Sequence, residues 1–312
     1  MLSGGYIWWM AGGALICAGF HFFLTKGLKK RGLLTGLTLL IGVALGAVCA
    51  KLLYCALAPQ YFLDDVRQFG LWQALVSDDM TKLAFYGGAA GAIFGAALAG
   101  VITGNGTVNA LNAWAPAGVL MAALARFGEG FLGTLGAGRA HMDAEWTHFF
   151  LLAVPNSRRT VWYLAVYSLA GIAYLVVCAL SLFRLREKRF IRTLYYLCLP
   201  QIMLESLRNQ SMIFHEFVRV EQLLCMIVMV VILVMYGVWA GKARRHRFLP
   251  ALLSLLCAGV FVAVEFALDG KLGEVFHQHK AIPYAVMALG MVALAVLERW
   301  GFGMVRRENT SY

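Results

Sequence analysis

Charge is scarce in this chain: Asp, Glu, Lys and Arg make up 14% of 312 residues, and the acids number only 16. Soluble domains carry about a quarter charged residues, so a globular cytosolic protein is excluded. Proline is equally rare, at 6 residues, and the 33 glycines follow no triplet period, which excludes collagen. A chain that is 61% hydrophobic, with mean hydropathy +0.73, does not remain unfolded in water, so disorder is excluded as well. The seven cysteines (Cys17, Cys49, Cys55, Cys178, Cys198, Cys225 and Cys257) contain no CxxC pair and no zinc spacing. All fall in apolar runs and read as small buried hydrophobes, with no disulfide framework and no metal. There is no phosphate-binding glycine loop and no nucleic-acid module; Gly104-Asn105-Gly106 is a turn. The formal net charge of +11 therefore needs an explanation other than nucleic acid.

What the chain has in abundance is apolar runs of spanning length. About 20 apolar residues cover a hydrocarbon core of about 30 Å. Nine runs meet that requirement: Tyr6 to Leu24, Leu33 to Ala58, Leu83 to Thr103, Val108 to Leu135, Val161 to Phe183, Ile191 to Gln210, Gln222 to Ala240, Leu249 to Leu268 and Ile282 to Leu297. The sixth is the weakest, interrupted by Pro200, Gln201, Glu205 and Arg208. The expected fold is an all-α polytopic bundle of about nine transmembrane helices. The first run has no basic residue before it and Lys26, Lys29, Lys30 and Arg31 after it. That pattern predicts a retained helix rather than a signal peptide.

Basic residues concentrate in cytoplasmic loops. With nine spans and the N-terminus outside, the inner segments hold 16 basic residues, including Arg184 to Arg192 and Lys242 to Arg247, against Glu187, Glu298 and Glu308. The outer segments hold 8 basic residues, Arg219 among them, and ten acids. The basic excess is thus topological, and the C-terminus is expected inside. Gly87, Gly91 and Gly95, like Gly42 and Gly46, recur every fourth residue, the pattern that lets helices approach closely in lipid.

Six ionisable residues remain inside the runs: Lys51, Arg126, Glu129, Glu205, Arg208 and Glu265. Each costs about 2.5 to 3.5 kcal/mol at the bilayer centre on insertion scales and so calls for a partner, water or a function. Glu265 lies one turn from the end of its run and is expected to snorkel. Arg126 with Glu129, and Glu205 with Arg208, are three apart, as in simple intrahelical pairs. Lys51 lies 18 residues beyond Leu33, roughly 27 Å along a helix at 1.5 Å per residue, which places it in the outer leaflet. The same count places Arg126, Glu129, Glu205 and Arg208 in the outer half. A shared polar cavity opening outward is expected, the alternative being independent snorkelling pairs. Such a cavity suits an anionic headgroup, because a guanidinium presents a fork of donors matched to phosphate oxygens.

Several motifs carry a resemblance. Phe85-Tyr86-Gly87-Gly88 is followed by Asn112-Ala113-Trp114-Ala115-Pro116 and by Ala125-Arg126-Phe127-Gly128-Glu129-Gly130-Phe131. Ala50-Lys51-Leu52-Leu53-Tyr54 precedes them, and Glu205-Ser206-Leu207-Arg208 and Glu221-Gln222-Leu223-Leu224 follow. In order and spacing these resemble the F-H-G-G, D-x-x-A-P, G-R-x-G-N-F-x-N-G-E, A-R-x-x-Y, E-F-x-R and G-Q-x-L motifs of the prolipoprotein diacylglyceryl transferase family. The likeness covers about residues 1–240 as a seven-helix core, leaving 241–312 as two further helices and a basic tail.

The resemblance implies transfer of the diacylglyceryl group of phosphatidylglycerol, or a similar anionic phospholipid, to the lipobox cysteine of a prolipoprotein, with no cofactor. The place would be the outer leaflet of the bacterial inner membrane. It also implies that Arg126 holds the lipid phosphate, that Lys51 and Arg208 support the headgroup, and that Glu205 orients the arginines. Tyr86 and Glu129 complete the catalytic set, and Gly87, Gly88 and Gly128 complete the binding set. Tyr86 stands where the family has its proposed histidine base; tyrosine titrates near 10, so as a base it calls for neighbouring cations. Glu129 replaces the signature asparagine, Gln201 a family arginine, and Lys51 another. The signature's last glutamate falls near Thr134, and Arg158-Arg159-Thr160-Val161-Trp162-Tyr163-Leu164 lacks the His and Glu of the family's H-P-S-Q-L-Y-E.

Three lesser features complete the reading. Glu274, His277 and His279 have metal-ligand chemistry but read as solvated loop residues. His21 reads as packed or snorkelling, and Tyr6-Ile7-Trp8-Trp9 as an interfacial aromatic belt at the place of the family's W-Y-G. Two alternatives stand beside the enzyme: a paralogue that binds lipid without transfer, and a small-molecule transporter. Broken, paired half-helices and an internal repeat would mark the transporter, and neither is visible.

Overall fold

A long apolar run in lipid must satisfy its own backbone hydrogen bonds, and a helix does so within one segment. A computed structural model shows that outcome; it describes residues 2–76, 84–149, 151–156, 160–208, 214–215, 218–241, 246–271 and 281–309. The helices are α1 (Leu2–Leu24), α2 (Arg31–Leu57), α3 (Pro59–Phe69), α4 (Leu71–Val76), α5 (Phe85–Ile102), α6 (Thr107–Gly128), α7 (Val166–Phe183), α8 (Arg189–Leu207), α9 (Val220–Trp239), α10 (Leu249–Leu268) and α11 (Ala281–Asn309). Among the described residues, eight are long and apolar enough to cross a membrane; α8, the weakest of the nine expected spans, is not one of them. The motif Glu274, His277 and His279 lies outside the described residues, as do the loop charges Asp78, Asp79, Lys82, Arg158, Arg159, Glu216, Lys242, Arg244, Arg245 and Lys280.

Two boundaries differ from the hydropathy reading. The fourth run continues as α-helix only to Gly128; Glu129–Gly136 is a 3-10 stretch with Gly133 at φ 70°. Glycines at 128, 130, 133 and 136 explain the loosening, since each gives up more backbone freedom to a helix than any other residue. The fifth run starts as strand. Ala137–His141 (β1), Ala153–Pro155 (β2) and Trp162–Ala165 (β3) form an antiparallel sheet in the order β1-β3-β2, with Val154 opposite Tyr163. Only at Val166 does the chain turn helical. Ala137, Val154, Ala165 and Tyr167 bury one side of this sheet, and His148 stacks on Trp162 at 4.5 Å.

The chain divides into two units, Met1–Thr193 and Leu194–Tyr312. In the first, α2 lies directly against α5 along the glycine stripe. A Cβ at Gly91 would lie 2.2 Å from the Leu45 carbonyl oxygen, and one at Gly95 2.6 Å from Gly42 Cα. The stripe is therefore backbone-to-backbone packing, as the spacing predicts. Gly91→Ala is expected to cost about 1 to 3 kcal/mol through overpacking. Gly12→Ala, where a Cβ meets nothing within 4 Å, serves as the neutral control, with midpoints read by thermal unfolding in detergent.

The α5–α6 turn has Gly104 and Gly106 at φ 73° and 77°, and the Asn105 side chain bonds the backbone N–H and carbonyl of Lys29, both at 2.8 Å. The turn is thereby fastened to the α1–α2 connection, which puts both on one end of the unit. Pro116 sits inside α6, where Cys178 Sγ of α7 donates to its carbonyl at 3.3 Å. His21 is packed rather than snorkelling: it is buried, with Nδ1 3.2 Å from Thr35 Oγ1.

In the second unit α9, α10 and α11 pack against one another. Glu298 corrects the loop reading, which had counted it as an inner surface charge. It is 0% exposed inside α11 and accepts hydrogen bonds from Tyr196 (2.9 Å) and Tyr236 (3.4 Å), while Tyr195 donates to the Leu294 carbonyl at 2.8 Å. The Tyr196 and Tyr236 hydroxyls thus satisfy the buried acid, and the last helix runs past its apolar stretch to Asn309.

Candidate functional site

Arg126 occupies the last turn of α6, where the free carbonyls of a helix end favour a cation. Its side chain is 1% exposed and its Nη1 donates to Glu129 Oε1 at 2.5 Å; Glu129, 14% exposed, is the first residue past the helix. The guanidinium carbon lies 4.0 Å from the centre of the Phe85 ring, a cation–π contact at the start of α5. Phe85 meets Tyr86 edge-on, with ring centres 5.5 Å apart. The expected three-residue pair is thus real, but it straddles a helix end and is anchored on an aromatic ring.

Glycines bring the remaining elements in. A Cβ at Gly87 would lie 2.3 Å from the Cys49 carbonyl oxygen and 2.7 Å from Ala50 Cα, and Ala84 N donates to the Ala50 carbonyl at 3.1 Å. Next to Ala50, the buried Lys51 holds Nζ 5.8 Å from the centre of the Tyr54 ring. Gly88 adds to the same crossing, its carbonyl 3.3 Å from where a Gly46 Cβ would be. Gly128 lies under α1: a Cβ there would be 2.7 Å from Trp9 Cδ1 and 3.0 Å from Tyr6 Cε2. Trp9 Nε1 donates to the Leu124 carbonyl at 2.7 Å and its ring faces Phe131 at 5.8 Å. Of the aromatic belt, Ile7, Trp8 and Trp9 are exposed as expected, and Tyr6 and Trp9 also pack on the end of α6. The α2–α5 crossing thus sets Gly87 and Gly88 beside Ala50, the neighbour of Lys51, while Arg126 joins Glu129 to Phe85, the neighbour of Tyr86.

Glu205 and Arg208 lie in the second unit, at the end of α8, with Arg208 Nη1 3.8 Å from Glu205 Oε2. Gln201 donates to Glu205 Oε2 at 3.1 Å and lies 3.4 Å from Glu221 Oε2. Two residues join them that sequence reasoning assigned elsewhere. Arg219, counted as an outer-loop charge, is 1% exposed; it donates to the main-chain carbonyls of Glu205 and Arg208 and lies 3.9 Å from Glu205 Oε1. Glu265, expected to snorkel, is 6% exposed; it lies 3.7 Å from Arg219 Nε and accepts from Gln222 at 2.8 Å and from Ser206. Burial of that carboxylate is sustained by these donors, which lipid-facing water would otherwise have to supply. The signal was there to be read: Arg219 and Glu265 stand at corresponding ends of consecutive spans.

Arginines buried on aromatic and carboxylate partners are suited to an anionic group with several oxygens. The model of the prolipoprotein diacylglyceryl transferase family matches residues 9–238. The chain belongs to that family. No curated protein and no solved structure shows a significant match. The family is one of transferases, so the buried charges belong to a multi-pass membrane enzyme of the diacylglyceryl transferase type rather than to a transporter. The family match ends one residue short of the end of α9, so α10 and α11, and with them Glu265, lie beyond it.

Proposed function

We propose that the protein moves the diacylglyceryl group of phosphatidylglycerol to the lipobox cysteine of a prolipoprotein, at the outer leaflet of the bacterial inner membrane. The observation that carries this reading is the near-complete burial of the Arg126 guanidinium against Phe85, within the family-matched segment. In the reaction the cysteine sulfur attacks the glyceryl carbon that bears the phosphate. A carbon–sulfur bond forms, the carbon–oxygen bond breaks, and glycerol phosphate leaves with the bonding pair. The thiol proton goes to Tyr86, acting as its phenolate. Arg126 receives the phosphate oxygens, and Lys51 adds a second positive charge. Gly87, Gly88 and Gly128 act by letting α2, α5, α6 and α1 approach closely enough to hold these groups. Glu205 and Arg208 contribute a second ionic pair for the headgroup. Residues 1–240 are the transferase core in this reading, and 241–312 an addition to it.

The direct test is purified protein in phosphatidylglycerol vesicles with a lipobox peptide. Thioether product supports transfer; binding of labelled lipid without product points instead to a lipid-binding paralogue. Glu129 supplies a further check. Its carboxylate lies 2.5 Å from the guanidinium that a phosphate must approach. Glu129→Asn removes that competing anion and is expected to lower KM for the lipid about tenfold, equivalent to about 1.4 kcal/mol. A KM that rises or stays put in a lipid titration would show that Glu129 does not compete with the phosphate.

A further inference from the structure

The transferase reading places Arg208 and Glu205 at the lipid headgroup, and on that reading rests a question about what holds them. They stand on the last turn of α8 (Arg189–Leu207) and just beyond it, where the terminal carbonyls of a helix have no intrahelical donors. Arg219 supplies donors there. Its Nη1 donates to the Glu205 carbonyl, and Nη1 and Nη2 both lie 3.3 Å from the Arg208 carbonyl. A guanidinium at that place also meets the negative end of the helix dipole. It is buried, with Glu205 Oε1 at 3.9 Å on one side and Glu265 Oε2 at 3.7 Å on the other.

Glu265 is itself held by Gln222 Nε2, 2.8 Å from its Oε1, and by the Ser206 hydroxyl. Gln222 Nε2 also lies 2.7 Å from both the Ile202 carbonyl and Ser206 Oγ, so the carboxylate is fastened to α8 as well as to Arg219. From α11, Tyr284 donates to the Ser206 carbonyl at 3.4 Å and Met287 Sδ lies 3.4 Å from Ser206 Oγ. The two helices beyond residue 238 therefore place a charge, a hydroxyl and a thioether around the end of α8. Apolar side chains would suffice if those helices only packed. A buried carboxylate is costly unless it is paired and hydrogen-bonded, and here its ionic partner is the arginine that caps α8.

We infer that Glu265 is a positioning residue for lipid binding: through Arg219 it fixes the end of α8 and with it the orientation of Arg208 and Glu205. The two C-terminal helices thereby take part in positioning Arg208 and Glu205 within the second unit.

The test is a lipid titration of the full-length protein in vesicles of phosphatidylglycerol diluted into phosphatidylethanolamine, read both as labelled-lipid binding and as transfer. Glu265→Gln is expected to weaken phosphatidylglycerol binding and raise KM about tenfold while kcat changes less than about threefold, and Glu265→Asp to recover part of the loss. Arg208→Lys on the Glu265→Gln background should weaken binding little further, because both changes disable one unit. If Glu265→Gln fails to fold, Ser206→Ala makes the same measurement with a milder change and the same direction. Wild-type lipid affinity in these variants overturns the inference, as does full additivity with Arg208→Lys. Absence of transfer in the wild-type protein would instead overturn the enzymatic reading, and the binding arm still decides the role of Glu265.

Discussion

Arg126→Ala is expected to lower the rate of thioether formation about a hundred- to a thousandfold, the usual effect of removing one preorganised donor from developing negative charge. In this transfer the charge develops on the phosphate oxygen that leaves the glyceryl carbon. Arg126 is suited to meet it because its position is fixed before substrate arrives: Phe85 lies 4.0 Å below the guanidinium carbon and Glu129 holds Nη1. Arg126→Lys should recover little of the loss, since an ammonium offers no planar fork and stacks poorly on a ring. Glu129 offers the control for stability. Arg126→Ala leaves its carboxylate without the 2.5 Å donor, whereas Arg126→Ala with Glu129→Gln removes the charge as well. The double variant should fold at least as well as the single one and still fail to transfer. More than a tenth of wild-type activity in Arg126→Ala would remove this residue from the phosphate site.

How far the fold could be read in advance depended on which signal each element carried. α2, α5, α7, α9 and α10 carry hydropathy alone, and their observed bounds lie within a few residues of the apolar runs, α7 excepted. The start of α7 was hidden because Trp162-Tyr163-Leu164-Ala165 continues an apolar run without a break, so composition does not separate strand from helix. Aromatic residues favour a strand there, and pairing with β1 and β2 decides it. The close crossing of α2 and α5 was legible as well, because a four-residue glycine period has a direct steric meaning.

The ionic residues divide differently. Spacing along one helix foretold the pairs Arg126 with Glu129 and Glu205 with Arg208, since both partners share a face. Arg219, Glu265 and Glu298 were misplaced because their partners come from other helices: α8 for Arg219, α9 for Glu265, and α8 with α9 for Glu298. Counting loop charges treats a residue at a helix end as solvated, and tertiary donors overrule that assumption. Arg219 and Glu265 pair with each other whereas Glu298 is held by tyrosines, and the two acids lie on helices past the reach of the family's pattern.

The proton is the remaining element of the reaction, and Tyr86 is where it should be sought. Tyr86 lies in the first turn of α5, where the free N–H groups of a helix start favour negative charge, and its ring meets the Phe85 ring on which Arg126 stacks. Tyr86→Phe removes the oxygen alone and is expected to lower kcat by about a hundredfold or more, within the range of general base catalysis, with phosphatidylglycerol affinity unchanged. Tyr86→His should retain turnover and extend it to lower pH. A base works only when deprotonated, and an imidazole loses its proton at lower pH than a phenol does, so the acid limb of kcat against pH should move down. Wild-type turnover in Tyr86→Phe across that pH range would eliminate this hydroxyl. The proton would then pass to Glu129, whose carboxylate is already on the Arg126 guanidinium: on accepting it, Glu129 would become neutral and yield the guanidinium to the leaving phosphate. The two outcomes are separable, because Glu129→Gln abolishes transfer in the second case and accelerates or spares it in the first.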